Sequence, residues 1–266
     1  ALAGDVPVIA KIERPEAIEV LSEIVDAADG IMIARGDLGV ELGAEKVPMI
    51  QKRIIRETNA HGKIVITATQ MLDSMIRNPR PTRAEAADVA NAVMDGTDAV
   101  MLSGETAAGR YPLQALQMMD AIIREVESDY VEDLSREFRE LKSVVEEEWS
   151  FANAAARAAA ELTTHLPLKA VVVFTQDGRS AGLLAEHRPR APILAVTSDT
   201  RVARRLSLEW GVIPRIEVPP ESLEEKVRIA SSLLVREKLC QRGEAFAMVL
   251  GWPPSGRTNT LKLHRL

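Results

Sequence analysis

The feature that most constrains this chain is a regular alternation of short apolar runs with longer amphipathic segments between residues 6 and 102. The apolar runs are rich in isoleucine and valine, which is typical of strands, and the segments between them have the period of a helix. One strand and one helix recur about every 30 residues, which predicts right-handed crossovers and a parallel sheet. The predicted strands are residues 6–12, 30–35, 63–68 and 98–102, and the predicted helices are residues 15–27, 45–61 and 83–94.

A long charged region separates this alternation from a second one. Residues 112–162 are mostly helical in pattern and contain no convincing strand. We interpret them as the last helix of a first domain, a connection, and the first helix of a second domain, and we place the domains at residues 1–130 and 131–266. The second alternation predicts strands at residues 169–175, 192–197, 212–216, 245–250 and 258–263, with helices near 180–187, 200–210 and 222–239.

Composition argues against several classes of partner. A net charge of -6 disfavours non-specific binding to nucleic acid or to an anionic membrane. The longest apolar runs are too short to cross a bilayer. The single cysteine, Cys240, excludes an internal disulfide and favours a reducing compartment. We therefore expect a cytoplasmic protein with no nucleic-acid or membrane partner.

Polar side chains gather where the four predicted strands of the first domain end. Lys11 and Glu13 lie two residues apart at the end of the first strand and so point to the same side. Residues 35–37 close the second strand, residues 67–70 the third, and residues 103–106 the fourth. This clustering at carboxyl ends of parallel strands is typical of the active site of a βα-barrel.

The residue types at these ends predict a metal and an anionic substrate. Glu13 and Asp37 would lie on neighbouring strand ends and could hold a hard divalent cation such as Mg²⁺, with water and substrate oxygens as its other ligands. Lys11 would place a positive charge where an oxyanion such as an enolate could develop. Gly36 would let backbone N–H groups at a helix start approach an anion closely. Spacing alone also leaves open a loop of ordinary salt bridges among Lys11, Glu13, Arg35 and Asp37.

Six segments of the first domain closely resemble the pyruvate kinase family. The resemblance is collinear and specific, and it continues more loosely to the end of the chain. It covers essentially the whole chain but only the second half of a pyruvate kinase. The segments are residues 9–13 (IAKIE), 31–41 (IMIARGDLGVE), 67–75 (TATQMLDSM), 78–85 (NPRPTRAE), 88–94 (DVANAVM) and 101–107 (MLSGETA).

The resemblance implies an α/β fold: the second half of a (β/α)₈ TIM-type barrel followed by a smaller α/β domain with a mostly parallel sheet. It implies a glycolytic transferase, a kinase that moves a phosphoryl group from phosphoenolpyruvate to ADP and gives pyruvate and ATP. The cofactors implied are Mg²⁺ or Mn²⁺ and, in the full-length enzyme, K⁺. An allosteric homotetramer is the implied assembly.

Individual residue roles follow from the same resemblance. Lys11 would stabilise the pyruvate enolate, and Glu13 and Asp37 would bind the divalent metal. Thr69 would contact the substrate beside the proton-transfer site, and Ser103 would belong to the polar neighbourhood of proton delivery. The substrate carboxylate would be held by backbone amides of Ala34, Arg35, Gly36 and Asp37.

A second candidate site lies at residues 175–180, which follow a predicted strand and open a helix. This is the geometry of an anion nest, although a capped turn has the same pattern. In the family this loop and residues 252–259 bind a phosphorylated effector in many members. Asp177 departs from the family pattern, since effector-binding members usually carry a hydroxyl or a small residue at this position, and its carboxylate would repel a phosphate. The candidate effector residues are Thr175, Gly178, Arg179, Ser180 and Arg257.

The chain looks as though it begins in the middle of a domain, since a closed parallel barrel needs eight strands. We expect the other half to carry a lid domain, the K⁺ ligands and an arginine for the transferred phosphate, and we expect the isolated 266-residue piece to be inactive. A location in an organelle such as a plastid stays open on this interpretation.

Two alternatives compete with a pyruvate kinase. One is a non-catalytic relative that only binds an effector or assembles, and retention of Lys11, Glu13, Asp37 and Thr69 together argues against it. The other is a different magnesium-enolate barrel enzyme, such as a pyruvate-dependent aldolase. The additional C-terminal domain and residues 103–106 disfavour that alternative.

Overall fold

The chain folds as two α/β units, Ala1–Tyr130 and Val131–Leu266, each built on its own sheet. The computed structural model describes residues 6–142, 151–253 and 258–266. In the first unit four parallel strands lie side by side in chain order, as successive right-handed crossovers require. The predicted barrel-type alternation is confirmed. The strands are β1 (Ile9–Ile12), β2 (Gly30–Ala34), β3 (Ile64–Ala68) and β4 (Ala99–Met101).

The α-helices of the first unit differ from the prediction in three places, and the short helix at residues 104–107 is one of them. The helix predicted at 15–27 is interrupted at Val20, whose ψ of 29° is not helical. A further helix begins at Arg35, where two glycines lower helix propensity, and it is anchored by the buried side chain of Leu38. The helices are α1 (Pro15–Glu19), α2 (Leu21–Ala27), α3 (Arg35–Leu42), α4 (Val47–Ala60), α5 (Arg83–Met94), α6 (Gly104–Ala107) and α7 (Pro112–Lys142), of which the residues up to Tyr130 belong to this unit.

Two apolar clusters hold these helices against the sheet. The larger cluster packs the strand residues Ile12, Ile31, Ile33 and Val65 against α2, α3 and α4. The smaller cluster lies around the segment after β3 and packs it against α5 and α7. The larger cluster contains Ile12, the last residue of β1, and the smaller cluster contains Met71 and Leu72 shortly after β3, so both lie beside carboxyl ends of strands. The smaller cluster consists of Met71, Leu72, Met75, Val89, Ala92, Ala115 and Met119.

Helix α5 begins with a capping box, as the spacing of Thr82 and Glu85 in the sequence predicts. The Glu85 N–H donates to Thr82 Oγ1 (3.2 Å), and the Thr82 N–H donates to Glu85 Oε2 (2.7 Å). Ser74 donates its N–H (2.7 Å) and its hydroxyl (2.6 Å) to the same carboxylate. Partial burial alone would raise the pKa of Glu85, but the hydrogen bonds from Ser74 and Thr82 outweigh it and lower this pKa.

The substitution Glu85→Gln should lower the free energy of unfolding by about 1 kcal/mol at pH 7. Because the folded-state pKa lies below the unfolded value of about 4.3, the carboxylate stabilises the fold above that pH and loses its contribution as the pH falls through the folded pKa. Urea unfolding at pH 7 and pH 4 should therefore show the deficit of the variant shrinking at the lower pH. Glu23→Gln, at an exposed first-turn glutamate of α2, is the control. A deficit that is equal at both pH values would contradict the prediction.

The second unit is a five-stranded sheet of order β7-β6-β5-β8-β9, in which β9 alone runs antiparallel to its neighbour. Helices α8, α9 and α10 cover one face, and α11 covers the other. The predicted strands and helices are confirmed. The elements are α8 (Phe151–His165), β5 (Leu168–Phe174), α9 (Arg179–Glu186), β6 (Ile193–Thr197), α10 (Thr200–Leu206), β7 (Val212–Ile216), α11 (Leu223–Arg236), β8 (Ala245–Leu250) and β9 (Thr260–Arg265). Across the described ranges of both units, no helix has the length and apolar character needed to span a bilayer.

Candidate active site

The ends of β1 and β2 bring three charged side chains together. The two strands are parallel, with Lys11 opposite Met32 and Ile12 opposite Ile33, so the residues that follow them lie at one edge of the sheet. Lys11 Nζ forms an ion pair with Glu13 and lies 3.1 Å from Asp37 Oδ2. The side chains of Lys11, Glu13 and Asp37 are 49%, 41% and 55% exposed, so all three are accessible to a ligand.

The electrostatics of this cluster favour a charged lysine between two carboxylates. Hydrogen bonds with Glu13 and, second, with Asp37 raise the pKa of Lys11 above its usual value. The ammonium therefore stays protonated well above neutral pH. Two carboxylates that converge on one cation also provide the hard oxygen donors that Mg²⁺ and Mn²⁺ prefer, so the donor set fits a divalent metal. Within the described residues, no group of three or more histidine, cysteine, aspartate or glutamate side chains is arranged to hold a metal ion.

The backbone turn after β2 faces the segment after β3. The Gly36 N–H donates to Thr69 Oγ1 (2.7 Å), and the Thr69 hydroxyl donates to the Ala68 carbonyl (2.7 Å). Thr69 and Gln70 both have left-handed backbone conformations, with φ of 69° and 54°. Such a conformation is rare for a β-branched residue and costs about 1–3 kcal/mol at each position. The Thr69 hydroxyl is thus held at the Gly36 amide, one of the amides predicted to bind the substrate carboxylate.

The side chain of Arg35 does not join the charged cluster of Lys11, Glu13 and Asp37, which was the alternative left open by the sequence. It is 7% exposed and donates to the main-chain carbonyls of Ala68 and Thr69 and to Gln51. It forms its ion pair with Asp88, at 2.7 Å, so the alternative of a salt-bridge network with Lys11 is wrong for this residue. The spacing of Arg35 from Gln51 and Asp88 carries no periodic signal that could have indicated these contacts.

A buried glutamate ties the segment after β3 to the segment after β4. Glu105 is 2% exposed, and its carboxylate accepts the N–H of Leu72 (3.0 Å) and of Ser103 (2.8 Å). Ser103 itself lies two residues beyond the end of β4, at the same edge of the sheet as Thr69. The sequence pattern of residues 103–106 includes Glu105 but gives no indication of this function.

Comparison with known proteins places the whole chain in one family. A family model described as pyruvate kinase, barrel domain, matches residues 2–116, and one described as pyruvate kinase, alpha/beta domain, matches residues 153–264. The chain belongs to the pyruvate kinase family. The two matched ranges fall one in each unit, and they favour neither a non-catalytic relative nor a different enolate barrel enzyme.

Bacterial pyruvate kinases are similar to nearly the whole chain. The chain is 46% identical to the pyruvate kinase of Geobacillus stearothermophilus over 263 residues, which is 97% of this chain and 44% of that protein. It is 43% identical to that of Clostridium perfringens (strain 13 / Type A) over 264 residues, 98% of this chain and 55% of that protein. The pyruvate kinase of Sporosarcina psychrophila is 44% identical over 265 residues, which is 98% of this chain and 44% of that protein. The chain spans about half the length of these relatives.

The α/β unit of this pyruvate kinase family member carries the predicted effector loop after β5. Gly178, at φ 88°, precedes α9, and its N–H donates to Thr175 Oγ1 (3.0 Å). The Arg179 N–H donates to Asp177 Oδ1 (2.9 Å). The Asp177 carboxylate, which was expected to repel phosphate, therefore accepts the hydrogen bond of the Arg179 N–H, a backbone donor that a phosphate would otherwise use.

Further contacts close this loop. Ser180 Oγ lies 2.6 Å from Thr258 Oγ1, so the loop is joined to the segment before β9. The Arg205 guanidinium donates to the Asp177 carbonyl. Arg257, the remaining candidate effector residue, lies outside the described residues.

Proposed function

We propose that a polypeptide containing this chain is a pyruvate kinase, which transfers the phosphoryl group of phosphoenolpyruvate to ADP and gives pyruvate and ATP. The observation that carries the proposal is the Lys11 ammonium held between Glu13 and Asp37 at the strand ends of the matched barrel domain. A scaffold without catalysis has no physical need for a lysine and two carboxylates converging on an exposed edge. The names of the bacterial relatives support the same reaction.

Glu13 and Asp37 would hold the divalent ion, Mg²⁺ or Mn²⁺, through their carboxylate oxygens. When bound, such an ion neutralises developing negative charge and orients substrate oxygens. Lys11 then provides a fixed positive charge, close to both carboxylates, for the enolate oxygen that develops as the phosphoryl group leaves. Positioning and charge neutralisation account for most of a phosphoryl transfer, so the residues of this edge require no protein nucleophile.

The backbone amides of residues 34–37 would bind the substrate carboxylate. The Gly36 N–H donates to the Thr69 hydroxyl, so a carboxylate oxygen that binds this amide would replace the hydroxyl as its acceptor and lie beside Thr69. We therefore assign Thr69 a contact with the substrate on the side where the enolate is protonated. Ser103, held through its N–H by Glu105, would complete the polar neighbourhood of that proton transfer.

The proposal also covers the assembly and the accessory ions. In the form we propose, the enzyme is an allosteric, K⁺-dependent homotetramer of the cytoplasm, and the ligands of K⁺ come from residues other than those of this chain. The domain boundary at residue 130 belongs to the same proposal, with catalysis in residues 1–130 and effector binding and assembly in residues 131–266.

The test of the function is pyruvate formation from phosphoenolpyruvate and ADP, measured with lactate dehydrogenase and NADH. The polypeptide encoded by the complete natural reading frame should be active. Residues 1–266 alone should be inactive, because β1 and β4 are the edges of a four-stranded sheet and a closed barrel has eight strands. An inactive complete polypeptide would contradict the function, and an active 266-residue chain would contradict the inactivity.

We propose that Thr175, Gly178, Arg179, Ser180 and Arg257 form an anion site that Asp177 weakens. Substitution Asp177→Ser should free the Arg179 N–H, remove a like charge, and raise the affinity for inorganic phosphate about tenfold in calorimetry. Asp199→Ser is the matched control, because Asp199 accepts the Arg201 N–H at the start of α10 in the same way (2.7 Å). Equal phosphate affinity in the Asp177 variant and in the unsubstituted chain would contradict the site.

A further inference from the structure

The segment after β3 contains two consecutive non-glycine residues in the left-handed region, Thr69 (φ 69°) and Gln70 (φ 54°). A β-branched residue in this region persists only where its surroundings over-determine the backbone. The contacts that hold this turn should therefore be strong, buried and supplied by other parts of the chain.

The strongest of these contacts come from Arg35, at the end of the neighbouring strand. Arg35 Nη2 donates to the Thr69 carbonyl (2.8 Å), and Arg35 Nε lies 3.3 Å from the Thr69 carbonyl and 3.4 Å from the Ala68 carbonyl. These two carbonyls belong to the peptide units on either side of the Thr69 Cα atom. Holding both of them fixes φ and ψ of Thr69 and therefore the direction of the Cα–Cβ bond that carries its hydroxyl.

The guanidinium of Arg35 is oriented by residues of two helices. Asp88 of α5 binds it through both oxygens, with Oδ1 2.7 Å from Nη1 and Oδ2 2.7 Å from Nη2. Gln51 of α4 accepts from Nη1 (3.3 Å) and donates from its own Nε2 to Asp95 (2.8 Å). A two-oxygen pairing of this kind fixes the plane of the guanidinium as well as its charge.

We propose that Asp88 and Gln51 are positioning residues, which act through Arg35 to hold the Thr69 hydroxyl at the Gly36 N–H. Neither residue contacts a reacting atom, and their effect passes through the guanidinium to the two carbonyls that flank Thr69. The effect on turnover rests on the proposed function, whereas the effect on the Gly36 amide does not. Asp88→Asn should therefore change the hydrogen bond at Gly36 and the catalytic rate together.

The first measurement is amide hydrogen exchange of Gly36, followed by NMR on the 266-residue chain. The Gly36 N–H donates to Thr69 Oγ1, so Asp88→Asn should speed its exchange about tenfold. The Leu72 amide is an internal reference in the same segment, because its acceptor is Glu105. Asp120→Asn is the matched control, since it breaks an exposed aspartate–arginine pair on α7 (2.8 Å). Unchanged exchange at Gly36 in the Asp88 variant would overturn the proposal.

The second measurement is steady-state kinetics in the complete natural polypeptide. Asp88→Asn should lower kcat about tenfold while KM for phosphoenolpyruvate changes less than about threefold, because a misplaced hydroxyl affects the transition state more than binding. Asp88→Glu should recover part of the rate, since it restores the charge. Unchanged kcat with faster Gly36 exchange would overturn the catalytic part of the proposal.

The two measurements separate this proposal from the proposed function. If the unsubstituted polypeptide does not form pyruvate, the proposed function fails and the exchange of Gly36 still decides whether Asp88 positions Thr69. If Asp88→Asn does not fold, Gln51→Met takes its place, because it removes the second contact on the guanidinium while keeping the side-chain length. The Gln51 variant should accelerate Gly36 exchange about threefold. No acceleration would overturn the proposal.

Discussion

Replacing Lys11 by methionine should lower kcat for pyruvate formation by about 10²–10³-fold in the complete polypeptide, the loss expected when a preorganised charge at a developing oxyanion is removed. Methionine keeps most of the side-chain length but has no positive charge. The affinity for Mn²⁺ should not fall, because Lys11 competes with a metal for the carboxylates of Glu13 and Asp37. Coupled-assay kinetics and a Mn²⁺ titration by electron paramagnetic resonance measure the two quantities.

The control for this substitution is Lys169→Met. Lys169 is exposed to the same degree as Lys11, 48% against 49%, and also pairs with a glutamate (3.4 Å to Glu244), but it lies in the second unit. Its replacement should leave kcat unchanged. A Lys11→Met enzyme with kcat within threefold of the unsubstituted enzyme would rule out an enolate-stabilising role.

Substitutions Glu13→Gln and Asp37→Asn should each weaken Mn²⁺ binding by at least about 100-fold, since loss of an outer-shell partner alone costs 10–100-fold. Each variant removes one anionic ligand with almost no change of shape. At Mn²⁺ concentrations below saturation, the rate of pyruvate formation should fall together with the Mn²⁺ affinity. Glu41→Gln, at an exposed carboxylate on α3, is the control. Unchanged Mn²⁺ affinity in both variants would show that the divalent ion binds elsewhere.

Glu13→Gln and Asp37→Asn should also lower the pKa of Lys11 by different amounts. The hydrogen bond with Glu13 contributes more to the raised pKa of Lys11 than the hydrogen bond with Asp37. Glu13→Gln should therefore lower that pKa further than Asp37→Asn does. The order is measurable from the pH dependence of the Lys11 side-chain chemical shift.

The parts of the fold and of the site that are predictable from the sequence are those whose geometry is set by local pattern. Parallel strands in chain order bring their carboxyl ends to one edge, so Lys11, Glu13 and Asp37 had to meet once the alternation was recognised. The capping box of α5 was predictable for a similar reason, because Thr82 and Glu85 satisfy each other within one helical turn.

What could not be predicted depends on distant contacts. Nothing in the sequence around Arg35 indicates that its side chain turns inward, since its partners lie 16 and 53 residues away at Gln51 and Asp88. The left-handed conformation of Thr69 runs against the preference of a β-branched residue, so local propensity predicts the wrong backbone there. Only the start of helix α3, at Gly36, was predicted. Its extent was not, because its glycines lower its intrinsic propensity and its stability comes from the burial of Leu38.

The dependence of the Thr69 turn on Arg35 has a consequence for the order in which the molecule becomes functional. The guanidinium is oriented only when α4 and α5 have both docked, so the turn draws on contacts of high sequence separation. Contacts of that kind form late in folding, and strained segments are among the first to open on heating. On heating, activity should therefore be lost at a lower temperature than secondary structure. The catalytic rate is then a more sensitive measure of native structure around Thr69 than the helix and strand content.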